Sequence, residues 1–475
     1  MAASRAYAPA RPTVLLGAAG LAANAAIVTL STRSPALLAV AVLVVAVAVL
    51  AFVRPGVLLL TAAFGLVVSG DLLDLVFTFP NLAFAGFQIQ LSDLFLVAIL
   101  LAWAGWELRR GGVGPPLAEL AREPAFAGFV PLFVLATYDL ARAGHGVFSS
   151  ARIFGFCVLV PVVVRVVETP RQLRLLGVAI AAAAAISSVA ALAMVAAGRS
   201  VTDRGLSTGG ARGLSIGGSF LVAGALLYVL AALVADTRPL SGLAPALVLL
   251  LLGGVAASGA RETWIGVLAA LAVFALLSSL RGAMRLGLVV VLAGLLAFGA
   301  YSIVPHPPKL EAQLASVEQR LSSVNPSTAA SDPSVQVRYD KWNVVWGQLK
   351  AHPLLGTGFG YPATYTSNIG GSNFVRSYVD DPENTHLWLW ARMGTLGFLA
   401  WVGFNVLALG TLVVRLLRTR VPAARTAALW AAGVLIVIWS GMAFSPVSAF
   451  GSTLLLYWLA IALVPVTGRL AAGPR

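Results

Sequence analysis

Long apolar runs divide this chain. Residues 36–53, 175–197, 214–235, 286–304 and 426–443 each come close to the ~20 residues that an α-helix needs to cross about 30 Å of hydrocarbon. Further apolar stretches at 13–30, 56–70, 92–106, 125–140, 148–164, 243–257, 264–280, 385–414 and 447–466 extend the series. The period-2 alternation of a barrel strand is absent, so the pattern predicts an all-α polytopic membrane protein of about 12–14 transmembrane helices. The run at 13–30 follows Arg5 and Arg11 as a signal peptide would, but no small-residue cleavage site follows, and it reads as a retained helix. One polar interval, Pro305 to Asn384, interrupts the series. It divides a single membrane domain into transmembrane helices at 1–304, a large loop at 305–384 and C-terminal transmembrane helices at 385–475.

Inside the loop the apolar spacing changes to that of surface helices. Leu310, Leu314, Val317, Leu321 and Val324 form one stripe over 309–324, and a second helix is predicted over 334–350. Asn325, Pro326, Pro353, Gly356, Gly358, Gly360, Gly370 and Gly371 punctuate the interval as breakers. On a wheel of 100° per residue, Val345 and Leu349 fall within about 20° of Arg338, with Trp342 at about 40°. Arg338 therefore occupies the middle of an apolar face. A buried guanidinium without a counter-charge costs several kcal/mol, so an anion is expected to meet it, either a ligand or one of Asp340, Asp380 and Glu383.

Composition agrees with lipid as the solvent: 59% of residues are hydrophobic and 11% charged. The formal charge of +14 needs no nucleic-acid partner, because its distribution explains it. With a cytoplasmic N-terminus, alternate turns carry Arg54, Arg109, Arg110, Arg165, Arg171, Arg174, Arg281, Arg285, Arg415, Arg418, Arg420 and Arg425 against few acids. This positive-inside bias predicts cytoplasmic termini and an extracytoplasmic loop. The single cysteine, Cys157, lies in an apolar helix and reads as a small buried hydrophobe, which excludes disulfides and cysteine metal clusters. No phosphate-cradling Gly-x-x-x-x-Gly-Lys or His-Glu-x-x-His sequence occurs, which argues against an ATP-driven pump and a zinc protease.

Candidate chemistry lies where charge breaks the orientation rule. Arg142, Arg152, Arg199, Arg204, Arg212 and Arg261 fall in turns predicted on the loop side, where guanidinium groups suit an anionic headgroup or a lipid diphosphate, or simply snorkel to lipid phosphates. Arg261 is the most constrained of them, in the short turn from Ser258 to Thr263. His386 opens a membrane helix directly after the loop, and its imidazole could accept a proton from a hydroxyl or merely cap the helix. His352, before Pro353, reads as turn structure. Asp380, Asp381 and Glu383 near His386 could offer oxygen ligands to a metal, but a solvated acidic turn is the simpler reading.

The order of these features resembles the O-antigen ligase and Wzy polymerase superfamily of bacterial membrane glycosyltransferases. The matching stretches are Ser258-Gly259-Ala260-Arg261, then Arg338-Tyr339-Asp340-Lys341-Trp342 leading to His352-Pro353-Leu354-Leu355-Gly356-Thr357-Gly358-Phe359-Gly360, then Asn384-Thr385-His386-Leu387 with Met393-Gly394-Thr395-Leu396-Gly397-Phe398. Thr385 and Leu387 depart from the commoner ligase wording around the histidine. The resemblance implies a GT-C-like fold in the bacterial cytoplasmic membrane and an inverting enzyme that needs no metal or other cofactor. Its donor would be a polyprenyl diphosphate-linked glycan, and its acceptor the hydroxyl of a glycan, lipid or protein. By the same resemblance His386 is the base, Arg261 and Arg338 grip the diphosphate, and Arg212 is a weaker third. The competing class is a transporter of an anionic solute or lipid, which would place ionisable residues or Gly/Pro breaks at mid-membrane; few charges fall at helix centres here.

Overall fold

A computed structural model describes residues 82–84, 87–89, 96–97, 99–100, 103, 120–141, 152–196, 213–237, 242–303, 333–361, 363–369, 372–378, 383–447 and 451–472. The expected spans at 13–30, 36–53 and 56–70 and the loop helix at 309–324 lie outside these residues, as do Arg142, Arg199, Arg204, Arg212, Asp380 and Asp381. What is described is an all-α polytopic membrane protein. Its main helices are α1 (Pro124–Ala141), α2 (Leu159–Val166), α3 (Pro170–Ala196), α4 (Ile216–Val234), α5 (Ala244–Ala257), α6 (Arg261–Leu277) and α7 (Leu280–Ile303). They are followed by α8 (Pro333–Ala351), α9 (Thr385–Arg418), α10 (Pro422–Met442) and α11 (Gly451–Ala472). Among the described residues, α1, α3, α4, α9, α10 and α11 are long and apolar enough to cross a membrane.

The bundle is organised around α4. Its apolar window is 94% buried, enclosed by α3, α5, α6, α7, α10 and α11. Small residues permit this closeness: the Trp430 indole donates 2.9 Å to the Gly224 carbonyl, and a Cβ on Gly224 would lie 2.6 Å from Leu456. At the end of the bundle away from the loop, arginines tie helices to one another. Arg415 bonds Glu123 (2.7 Å to Oε1), the Val464 carbonyl and Thr467, and Arg469 donates to the carbonyls of Val164 and Val167. The Arg469 contacts satisfy backbone acceptors that the C-terminus of α2 leaves open, whereas Arg415 meets α11 in its interior.

The loop holds an element that the hydrophobic pattern does not predict. Residues Ala363–Ile369 (β3) and Ser372–Tyr378 (β4) pair antiparallel with Ile369 opposite Ser372, so Gly370 and Gly371 connect them. The sequence was legible as breakers only; a two-residue glycine connection between short, β-branched and aromatic segments is a hairpin signal. A smaller hairpin joins Leu82–Phe84 (β1) to Phe87–Ile89 (β2). The loop helix predicted at 334–350 is present as α8, and it packs on the start of α9.

Candidate functional site

The wheel drawn for α8 holds in three dimensions: Val345 and Leu349 are buried against Ala391 of α9, while Tyr339 and Trp346 are exposed. Arg338 on the same face is half-buried, and its anion is one of the three acids expected. Arg338 Nε lies 2.7 Å from Glu383 Oε2, and Lys341 Nζ lies 2.6 Å from Glu383 Oε1, so each carboxylate oxygen receives one cation. Lys341 also sits 5.7 Å above the Tyr365 ring of β3. Burial alone would raise the Glu383 carboxyl, but the charges and hydrogen bonds of Arg338 and Lys341 outweigh it and hold the group below its ordinary range. Glu383 adopts a left-handed backbone, φ 64, immediately before α9.

The next residues begin α9. Asn384 caps it, its side-chain oxygen accepting from the Leu387 N–H at 2.9 Å. At the second residue of the helix, His386 Nε2 lies 3.0 Å from the carbonyl oxygen of Trp439 near the end of α10. A carbonyl can only accept, so Nε2 carries the proton and, in the neutral ring, Nδ1 holds the free lone pair. Nδ1 is buried and has no hydrogen-bond partner among the described residues. The ring sits 4.4 Å from that of Trp439 and 6.4 Å from that of Phe398, and Phe398 stacks on Trp390 at 5.0 Å. The imidazole is thus fixed at one nitrogen and open, in hydrogen-bonding terms, at the other.

Arg261, by contrast, reaches this region through its neighbour. The turn from Ser258 to Ala260 turns on Gly259, φ 61, and Arg261 is the first residue of α6, half-buried. Glu262 beside it is buried, and its Oε1 accepts from Ser445 Oγ at 2.7 Å. The Ser445 carbonyl in turn accepts from Thr385 Oγ1 at 3.1 Å, while Thr385 Oγ1 accepts from the Val447 N–H at 3.0 Å. Three segments far apart in sequence, the 258–263 turn, the 443–447 turn and the start of α9, are therefore tied together by buried hydrogen bonds. No motif marks Glu262, Thr385 and Ser445 as a set; the bond between positions 262 and 445 joins residues no local pattern could relate.

The glycine-rich stretch after His352 docks on α9. The Thr357 N–H donates to the Ala391 carbonyl and the Gly358 N–H to that of Arg392, both at 2.9 Å; the Thr395 and Leu396 N–H groups return to the carbonyls of Pro353 and Leu354. This exchange is possible because α9 breaks at Gly394, with φ 65 and ψ −175. Arg392, 1% exposed, lies at that break and donates from Nη1 to Thr357 Oγ1 at 3.1 Å. No local motif singles out Arg392, whose neighbours make it one charge in a membrane-helix run. The sequence signal for it is an ionisable residue two positions before a glycine within an otherwise apolar membrane-helix run.

The structure thus gathers Arg338 and His386 around the loop-to-α9 junction and ties the Arg261 turn to it through Glu262. Arg212 lies outside the described residues. A search of curated proteins finds no match for this chain. Residues 246–402 match the family model described as O-Antigen ligase. That interval runs from α5 through α6, α8, the hairpin β3–β4 and the break in α9, and so contains Arg261, Arg338 and His386. The resemblance carried by the sequence motifs is thus met by a family-model match over residues 246–402, about a third of the chain.

Proposed function

We propose that this protein is a membrane glycosyltransferase of the O-antigen ligase or polysaccharide polymerase type. It moves a glycan from a polyprenyl diphosphate to an acceptor hydroxyl on the outer face of the bacterial cytoplasmic membrane. The observation that carries the reading is the His386 ring, held at Nε2 by the Trp439 carbonyl with a buried Nδ1 that has no partner among the described residues. The acceptor oxygen attacks the anomeric carbon and its proton passes to Nδ1. The bond from that carbon to the diphosphate oxygen breaks, and the electron pair leaves with the diphosphate. Direct displacement inverts the anomeric centre. Arg261 and Arg338, with Arg212 as a third candidate, match the charge that grows on the leaving group, which is where preorganised cations lower a barrier most. Donor, acceptor and bilayer then meet at the α9 junction, and the acceptor can be a glycan, a lipid or a protein.

Purified protein supplied with a polyprenyl diphosphate glycan and an acceptor should release free polyprenyl diphosphate. His386→Ala should lower that release by roughly 10²–10⁴-fold, the range for a general base. Unchanged release by the variant would remove His386 from the reaction.

A further inference from the structure

Arg338 and Lys341 are one turn apart on α8 and converge on the two oxygens of a single carboxylate, at 2.7 and 2.6 Å. Two cations, each aimed at its own oxygen of one anion, are the arrangement that also fits two oxygens of a phosphate. The carboxylate in place comes from Glu383, whose backbone sits at φ 64, a region that costs a non-glycine residue. The next three residues are the α9 cap Asn384, then Thr385 and His386, so the acid lies on the strand of chain that leads to the imidazole. We propose that Arg338 and Lys341 form a two-cation seat for a phosphate of the donor, and that Glu383 is its resting occupant, displaced when the diphosphate arrives. Lys341 is then a binding residue in its own right. The identity of the incoming anion rests on the function proposed above; the seat itself does not.

A structural ion pair and a displaceable occupant predict opposite signs. If Glu383 competes with the ligand, removing its charge tightens anion binding; if it merely orients the two cations, removing it weakens binding. The full-length protein in phosphatidylcholine nanodiscs is titrated with inorganic pyrophosphate by calorimetry. Glu383→Gln and Glu383→Ala are expected to bind pyrophosphate about tenfold more tightly than wild type, roughly the effect of 1.4 kcal/mol. Lys341→Ala is expected to bind about tenfold more weakly, and to cancel the gain when combined with Glu383→Gln. Equal or weaker binding by both Glu383 variants, unchanged binding by Lys341→Ala, or failure of both Glu383 variants to fold would overturn the proposal. Nanodiscs containing phosphatidylglycerol separate the two sources of phosphate: competition with pyrophosphate by that lipid at bilayer concentration would make a headgroup the occupant and overturn the assignment to the donor. Tight pyrophosphate binding without any polyprenyl diphosphate release would leave the seat standing and remove the glycosyl-transfer reading instead.

Discussion

Gly356 and Gly394 face each other across the junction of loop and membrane helix, both with φ 65. A Cβ on Gly394 would lie 2.2 Å from the Leu354 oxygen and 2.5 Å from the Gly356 nitrogen; a Cβ on Gly356 would lie 2.3 Å from the Arg392 oxygen. All of these neighbours are backbone and cannot swing aside. Gly394→Ala should therefore part the His352–Gly360 stretch from α9 and, with it, shift Thr357 and Arg392. A displacement of about 1 Å at a reacting group costs on the order of 10² in rate. Turnover of Gly394→Ala should fall by at least about that factor, measured beside Gly347→Ala, where a Cβ meets nothing.

The hydrogen-bond chain from Glu262 through Ser445 to Thr385 makes His386 sensitive to a residue that does not touch it. Glu262→Leu leaves Ser445 without its acceptor and frees the 443–447 turn, so roughly ten-fold slower turnover is expected with little change in donor KM. Glu262→Gln keeps an oxygen to accept from Ser445 and should recover most of the loss. In a double-mutant cycle Glu262→Leu and Ser445→Ala should be non-additive, with a coupling of about 0.5–3 kcal/mol. Independent losses in the double variant would show that the chain is not a unit.

The lowered Glu383 carboxyl makes a pH prediction. A group whose folded value lies below its unfolded value of about 4.3 contributes stability that is complete above that value and is lost as pH falls through the folded one. At pH 7 the triad with Arg338 and Lys341 is intact, so Glu383→Gln should lower Tm there. The two thermal midpoints should draw together as pH falls below the unfolded value and through the lower folded one. Parallel midpoints over pH 3 to 7 would contradict an ionised Glu383 in the folded state.

At the other end of the bundle, Arg415 and Glu123 have side chains only 20% and 14% exposed. Removing one partner of so enclosed a pair leaves the other charge unanswered, a cost of about 3–5 kcal/mol when burial is complete and less here. Glu123→Ala should lower the thermal midpoint clearly, while paired replacement of Glu123 and Arg415 by Leu and Met should recover part of it. Because this pair is far from the α9 junction, catalytic turnover of the folded fraction should be unchanged in Glu123→Ala.

The sequence made the membrane helices legible because burial in lipid needs length and apolarity, both of which are local. The expected stretches at 175–197, 214–235, 385–414 and 426–443 recur as α3, α4, α9 and α10 with ends shifted by a few residues. The stretch expected at 447–466 starts later, at Gly451, since residues up to Val447 are held in the turn bonded to Thr385. Arg338 was legible for the same reason, a face that can be drawn from spacing alone. Its choice of Glu383 over Asp340 was not, because Glu383 is brought to α8 by the fold. The break in α9 was hidden by its composition: Met393-Gly394-Thr395 reads as apolar helix until the docking of Gly356 gives the left-handed glycine its purpose.

The enclosure of His386 Nδ1 bears on what the protein leaves undone. A nitrogen closed to water is closed to a sugar hydroxyl as well, so the packing of Trp439 and Phe398 around the ring must give way before any hydroxyl, of acceptor or of water, can reach it. Thinning that packing, as in Phe398→Ala, should raise release of free glycan in the absence of acceptor relative to transfer in its presence. When the base is within reach is then a property of the packing around it rather than of the base itself.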